Sequence, residues 1–401
     1  MIWLSIVGIG EDGVDGLGES AKSAIVNADY VFGGARHLEL ASSLLLGEIR
    51  PWLTPFSQSI EAILALRGKS VCVLASGDPM HFGVGATLSR QIKTDEIMVL
   101  PHPSSFSLAA AKLGWPLQDV VTLSLHGRPI ELLRPHLHSG VCVLALTSDE
   151  HGPAQIAELL TDTGFGLSIV TVLEALGGPN ETMRSHVAMS FGLKDINPLN
   201  LVAISVVALP DARILPLTPG LDDSLFEHDG QITKREIRAL TLSALAPRRG
   251  EILWDIGSGS GSIAIEWMLA DPSLRAIAIE ANPERATRII NNMMACGVPA
   301  LQIILDRAPA ALDGLEPPHA IFIGGGGSDE GVLDRAIDAL RPGGRIVVNA
   351  VTLELEALLL SVHARQGGSL TRIAVSRADA VGSMMAWRPA MPITQWVWSK
   401  P

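Results

Sequence analysis

Short apolar runs bounded by glycine, proline and small polar residues recur along the chain. Those at 2–9, 71–75, 141–146 and 201–209 are strand-length, and none reaches the roughly 20 apolar residues that a membrane-spanning helix needs. Beyond residue 250, strands predicted at 252, 276, 301, 320 and 345 alternate with helices predicted over 262–270, 283–296 and 329–340. Such alternation predicts a doubly wound parallel sheet. Two last strands, 371–376 and 395–398, are expected to add an antiparallel edge pair. The earlier half also alternates strands with helices, so the whole chain reads as α/β. It is not a repeat of the later half, because its glycine-bearing turns are spaced differently.

Residues 209–220, LPDARILPLTPG, place three prolines and a glycine between an apolar strand and an acidic stretch. Such a segment reads as an interdomain connection. The expected organisation is a domain over 1–209, a linker over 210–221 and a second domain over 222–401. A chain of 401 residues, 47% of them hydrophobic, has enough apolar side chains for two cores. The net charge of −12, with no dense Lys/Arg cluster, excludes a general nucleic-acid surface. It leaves room for a small anionic substrate held by a few arginines, with Arg128, Arg134, Arg235, Arg238, Arg248 and Arg249 as candidates. Cys72, Cys142 and Cys296 are odd in number and far apart, and His136 and His138 lack further ligands nearby. Neither a disulfide framework nor a metal site is expected. With no leader-like pattern at the start, the cytoplasm is the expected compartment and no membrane partner is expected.

The segment EILWDIGSGSGS, 251–262, carries the chemistry most clearly: an apolar run enters a glycine–serine turn and a helix follows. Residues without bulky side chains let the backbone bend tightly and approach a ligand. Nineteen residues after Gly261, the run 276–279 ends on Glu280, where a carboxylate can accept hydrogen bonds from ribose hydroxyls. The spacing is G-x-G-x-G, not the G-x-G-x-x-G of dinucleotide sites. Asp255, two positions before the first glycine, disfavours a pyrophosphate and favours a cationic amino acid moiety. The expected ligand is therefore S-adenosylmethionine (SAM). The alternatives are a nicotinamide-binding dehydrogenase or nucleotide sensor, opposed by the glycine spacing, and an RNA methyltransferase, opposed by the missing basic stripe.

In the first half, four loops follow predicted strands: GIGEDG at 8–13, ASGDPMHFGVG at 75–85, PHPSSFS at 101–107 and LSLHGRP at 123–129. Together they resemble the tetrapyrrole methylase family, whose members bind SAM on a different fold; the Ser-Gly-Asp-Pro loop is its most specific mark. VFGGARHL at 31–38 and SLHGR at 124–128 are similar to the branch that methylates precorrins late in cobalamin synthesis. One departure is the first loop, where the family often carries a proline and this chain has Glu11 and Asp12. The second half resembles the class I methyltransferases that work beside that branch, through DGQITKREIR at 229–238, WDIGSGSG at 254–261 and FIGGG at 322–326.

These resemblances imply an N-terminal tetrapyrrole methylase fold followed by a C-terminal Rossmann-like class I methyltransferase domain. They imply SAM as cofactor, a small tetrapyrrole as substrate, and a homo-oligomer. The first domain is then expected to methylate C5, and the second to methylate C15 and release CO2 from the ring C acetate. The implied cofactor contacts are Gly77, Asp78, Pro79, Ser104 and Ser105 in the first domain. In the second they are Gly257, Ser258, Gly259, Ser260, Gly261 and Glu280, with Asp306 and Ala308 beside adenine and Thr233 just before the first helix. Thr233 reads equally well as the N-cap of that helix. No catalytic side chain is named, because a reduced tetrapyrrole brings its own enamine-like carbon nucleophile. Lys234, Glu236 and His228 fall near the expected mouth of the second site and read first as surface residues.

Overall fold

The computed structural model describes residues 1–401. The chain divides into two compact units, one of Met1–Ile130 with His136–Ala212, the other of Glu131–Pro135 with Arg213–Pro401. The change of unit thus falls between Ala212 and Arg213, inside the segment read as a linker. Its physical cause is apolar: Leu215 and Leu221 are buried in the core of the second unit, among Trp267, Leu242 and Leu253.

The first unit holds two sheets. Strands β1 (Leu4–Ile9), β2 (Tyr30–Gly33), β3 (Glu48–Pro51), β4 (Val71–Ser76) and β5 (Ile97–Leu100) form a parallel sheet in the order β3-β2-β4-β1-β5. Strands β6 (Val120–Ser124), β7 (Cys142–Leu146), β8 (Ile169–Glu174), β9 (Thr182–Val187) and β10 (Asn200–Ser205) form the second, in the order β6-β7-β10-β8-β9. Only β6 and β7 run parallel there.

The second unit is one seven-stranded sheet with an added hairpin. It contains β11 (Ile252–Ile256), β12 (Arg275–Glu280), β13 (Gln302–Leu305), β14 (Ala320–Ile323), β15 (Arg345–Ala350) and β16 (Ser369–Ile373). The hairpin β17 (Ser376–Val381) and β18 (Met384–Pro389) follows, and β19 (Ile393–Ser399) closes the chain. The order is β13-β12-β11-β14-β15-β19-β16, with β11 to β15 parallel. β19 is antiparallel to β15 and to β16. β11 lies between β12 and β14, so the switch in strand order sits at its carboxyl end, where open α/β sheets gather ligands. Every residue of β11, β14 and β15 is buried, as expected of central strands covered by helices on both faces.

Two sequence expectations change. The helix expected over 329–340 begins at Val332, because Gly331 stands left-handed immediately before it. The hairpin β17–β18 was not foreseen, since nearly every one of its residues is exposed and no buried stripe marks it.

Two buried acids shape the second unit around its glycine turn. Glu266, on the helix Ser262–Leu269, accepts hydrogen bonds from the backbone N–H groups of Gly220 (2.6 Å) and Leu221 (3.0 Å) and from the fully buried Arg238. Arg238 also donates to Asp223 (3.1 Å) and to the carbonyls of Thr233 and Leu221. Asp255, at 1% exposure, accepts from the Ser258 hydroxyl (2.7 Å) and from the N–H of Ala264 (3.1 Å), while its Oδ1 has no partner. Burial pushes its carboxyl up from 3.8 to about 7, the two hydrogen bonds opposing the shift and the nearby Glu280 charge adding to it.

Replacing Glu266 by Gln removes the more deeply buried of the two carboxylates paired with Arg238 and leaves the guanidinium with only the partly exposed Asp223. A loss of about 3–5 kcal/mol in the unfolding free energy of the second unit is expected, measured by denaturant titration. For Asp255 the sign follows from the raised value. Between about pH 4 and 7 the native state holds a proton that the unfolded chain has released, so stability falls as pH rises through that window and levels off above it. Asp255→Asn should abolish that component, gaining on the wild type as pH rises from 5 to 8 in thermal unfolding.

Candidate functional site

Each unit carries a cavity at the carboxyl ends of its parallel strands. In the first, Gly8 at the end of β1 approaches the turn after β4 so closely that a Cβ there would lie 1.8 Å from the Gly77 carbonyl oxygen. Gly77 is left-handed (φ 52°), and a Cβ on it would meet Ser104 and Pro103 backbone atoms at 2.9 and 3.0 Å. The Gly77 N–H donates to Ile9 O (3.1 Å) and its carbonyl accepts from His102 N–H (3.2 Å), tying three loops together. Asp78 accepts from the N–H of Met80 (2.8 Å), and Ser104 caps the helix Ser105–Leu113 by accepting from Ser107 N–H (3.2 Å).

These loops border a cavity of about 490 Å³. Gly77, Asp78, Ser104 and Ser105 line it; Pro79 does not, its carbonyl instead accepting from Ala86 N–H (3.3 Å). Of the candidate arginines, Arg128 lies on its wall. Arg134 and Arg238 are buried and bound to backbone carbonyls, which removes them from substrate binding. The reading of the residues did not single out Arg36, His37, Trp52, His81 or Phe82 as lining residues, although all five line the cavity. The motif 31–38 contained Arg36 and His37, yet no spacing distinguished them from surface residues.

Arg36 pairs with Glu11 and reaches the Ser76 hydroxyl (3.0 Å) and His37 Nε2 (3.1 Å). Burial first, then the Arg36 charge, lowers His37 to about 4, so the ring is neutral near pH 7. Asp12 meets His102 Nε2 at 3.2 Å. The two acids that depart from the family pattern therefore fasten the first loop to Arg36 on one side and to the loop after β5 on the other.

In the second unit, Gly257, Gly259 and Gly261 are all left-handed, with φ of 69°, 63° and 77°. A Cβ on Gly257 would lie 2.4 Å from the carbonyl oxygen of Gly325, in the loop after β14. Glu280, 6% exposed, accepts from Gly259 N–H (2.8 Å) and Asn282 N–H (2.9 Å). The beginning of the 229–238 segment is fastened by Asp229 to Arg285 (3.0 Å) and Arg288 (2.9 Å). A hydrogen bond from the Gln231 backbone, then Arg285, holds Asp229 down at about 2.

The cavity here, about 460 Å³, is lined by Gly257, Glu280, Asp306 and Ala308, together with Asn282 and Arg285. Ser258, Gly259, Ser260, Gly261 and Thr233 are not on its wall. Ser258 is turned to Asp255, and Gly261 stands at the N-cap of the helix Ser262–Leu269. Asp255 is buried beside the turn and is not on the cavity wall. The helix after Thr233 takes Lys234 as its N-cap, without a side-chain bond, so Thr233 is not its cap. Lys234 and Glu236 are engaged with Asp223 (3.7 Å) and Arg377, and His228 accepts from Gly230 N–H (3.0 Å). No helix of the chain is long and apolar enough to cross a membrane.

Comparison with known proteins follows the same division. The tetrapyrrole (corrin/porphyrin) methylase profile matches residues 4–188, and the precorrin methyltransferase domain profile matches residues 224–400. A Sinorhizobium protein named precorrin-6Y C(5,15)-methyltransferase (decarboxylating) is 61% identical over 398 residues, covering 99% of this chain and 96% of the relative. Two shorter relatives each cover less than half of the chain. A cobalt-precorrin-7 C(5)-methyltransferase of Salmonella typhimurium is 31% identical over 45% of this chain and 89% of its own length. A probable cobalt-precorrin-6B C(15)-methyltransferase (decarboxylating) of Saccharolobus solfataricus is 35% identical over 44% of this chain and 94% of its own length. With near-complete coverage at that identity, the chain belongs to the precorrin-6Y C(5,15)-methyltransferase (decarboxylating) family.

Proposed function

We propose that this chain methylates precorrin-6Y at C5 and C15 with SAM and releases the ring C acetate carboxyl as CO2, giving precorrin-8 in cobalamin biosynthesis. The observation that carries the reading is the occurrence of two separate glycine-walled cavities, one in each unit, at strand ends that admit no side chain. The existence of half-length relatives named for one methylation each supports assigning C5 to the first unit and C15 with decarboxylation to the second.

The residues present fit SAM in chemical type. Gly77 and Gly257 leave bare backbone where a Cβ would collide with the neighbouring loop, and Glu280 keeps free lone pairs beside two backbone bonds. Gly77, Asp78, Ser104 and Ser105 would hold the cofactor in the first unit; Gly257, Glu280, Asp306 and Ala308 would do so in the second. When bound, it supplies an electrophilic methyl group on a sulfonium. The chain's own tasks are to align the acceptor carbon and to keep water out. No side-chain nucleophile is required, because a meso carbon conjugated to a pyrrole nitrogen is itself electron-rich. Loss of the carboxyl leaves an electron pair that the conjugated macrocycle accepts, and a proton donor then completes the step.

A homo-oligomer belongs to the same reading. The hairpin β17–β18 pairs with no other strand and exposes Met384, Met385 and Trp387. An isolated two-stranded ribbon is marginal alone and its open edges favour strand addition, which a second copy of the chain supplies.

Incubation of the full chain with precorrin-6Y and methyl-labelled SAM should add two methyl groups and remove one carboxyl, as read by mass spectrometry; an unchanged macrocycle would refute the reading. Gly257→Ala drives a Cβ into Gly325, so it should lower SAM stoichiometry from two to one and stop C15 methylation with decarboxylation. The paired change Met385→Lys and Trp387→Lys should reduce the particle mass in light scattering to that of a single chain.

A further inference from the structure

Three aromatic rings step from the core of the first unit to the wall of its cavity. Phe106, 1% exposed, forms the base. His81 lies against it with ring centroids 4.8 Å apart, and Phe82 follows at 4.9 Å from His81, the two planes only 26° apart. Phe82 is 47% exposed and lines the cavity.

Its backbone has a φ of 59°, in the left-handed region that bulky residues rarely enter. Such a conformation persists only where the surrounding turn over-determines it, and it marks sites where a side chain is held for a purpose. The turn meets that condition: Asp78 accepts from Met80 N–H (2.8 Å), and Cβ atoms on Gly83 or Gly85 would lie 2.6 or 2.7 Å from Pro79 O. The ring packs on His81 and, at 5.9 Å, on Phe106, yet leaves 47% of the residue exposed at a position where glycine would be unstrained. The same cavity wall carries Arg36 and Arg128. Arg36 is already paired with Glu11, so it is the Arg128 guanidinium beside the ring face that complements a flat conjugated molecule fringed with carboxylates.

We infer that the His81–Phe82 stack is the platform on which the macrocycle of the C5 acceptor lies, with Phe82 as its positioning residue. The inference rests on the proposed function and adds to it the surface that orients the acceptor. Phe82 follows the Gly77–Asp78–Pro79 turn by three residues, so the platform and the cofactor loop share one rigid turn.

The test uses the full chain with Phe82→Gly, which removes the ring and relieves the positive φ, and Phe82→Tyr, which keeps a ring. Three quantities are read: the dependence of C5 methylation on precorrin-6Y concentration, the stoichiometry of labelled SAM by equilibrium dialysis, and the thermal unfolding midpoint. Phe82→Gly should raise the KM for the C5 step roughly tenfold, the value of one stacking contact. It should do so with saturating rate and SAM stoichiometry retained and no fall in unfolding midpoint, and Phe82→Tyr should restore KM. An unchanged KM in Phe82→Gly would overturn the inference alone. So would loss of one of the two SAM sites at unchanged KM, which would give the stack to adenine. A wild-type chain that fills both SAM sites yet leaves C5 unmethylated would overturn the functional reading and this inference with it.

Discussion

The structure depends on the close approach of backbones at strand ends. In the first unit Gly8 meets the Gly77 carbonyl, and in the second Gly257 meets the Gly325 carbonyl, at separations that leave no room for any Cβ. Once those contacts form, the loops leaving adjacent parallel strands are held side by side and enclose a cavity instead of splaying apart. Gly77 and Gly257 are left-handed as well, so both a steric and a conformational requirement fall on the same residues. At those contacts a strand-end cavity has bare backbone on its wall, with side chains such as Phe82, Arg128 and Glu280 around it.

Much of this was legible in the sequence. Alternating apolar runs and helical spacing placed β11 to β15 in a parallel sheet, because central strands are apolar on both faces and leave an unambiguous signal. The glycine turn at 257–261 and the acid at 280 were equally visible, since left-handed turns and strand-end acids constrain residue type. What the residues could not reveal was direction. Asp255 looked like a charge facing a ligand, but one of its oxygens is used up by Ser258 and Ala264 inside the turn. Thr233 read equally as a cap and as a cofactor contact, but Lys234 holds the N-cap position and Thr233 is not on the cavity wall. The hairpin β17–β18 left no periodic trace because neither of its faces is buried.

The acids around the second cavity divide their work by depth. Asp255, fully enclosed, is pushed towards the neutral form and serves as a hydrogen-bond acceptor for the turn. Glu280 stands at the cavity wall and joins Gly259 to Asn282 while keeping lone pairs for a ligand. Pushing the buried Asp255 towards its neutral form limits the repulsion between two acids in contact with one turn.

Arginines show the same dependence on depth. The candidates in the sequence were indistinguishable, yet Arg238 and Arg134 are consumed by buried carbonyls and carboxylates, whereas Arg128 reaches the first cavity, as does Arg36, which was not among them. A chain of net charge −12 repels a polycarboxylate at long range. At physiological ionic strength that repulsion is screened beyond about 8 Å, so the charges on the cavity wall, Arg128, Asp78 and the Arg36–Glu11 pair, count for more there than the net charge. Net charge therefore bears on a nucleic-acid surface, which needs an extended basic field, and carries no information about a small anion, which needs only local charge.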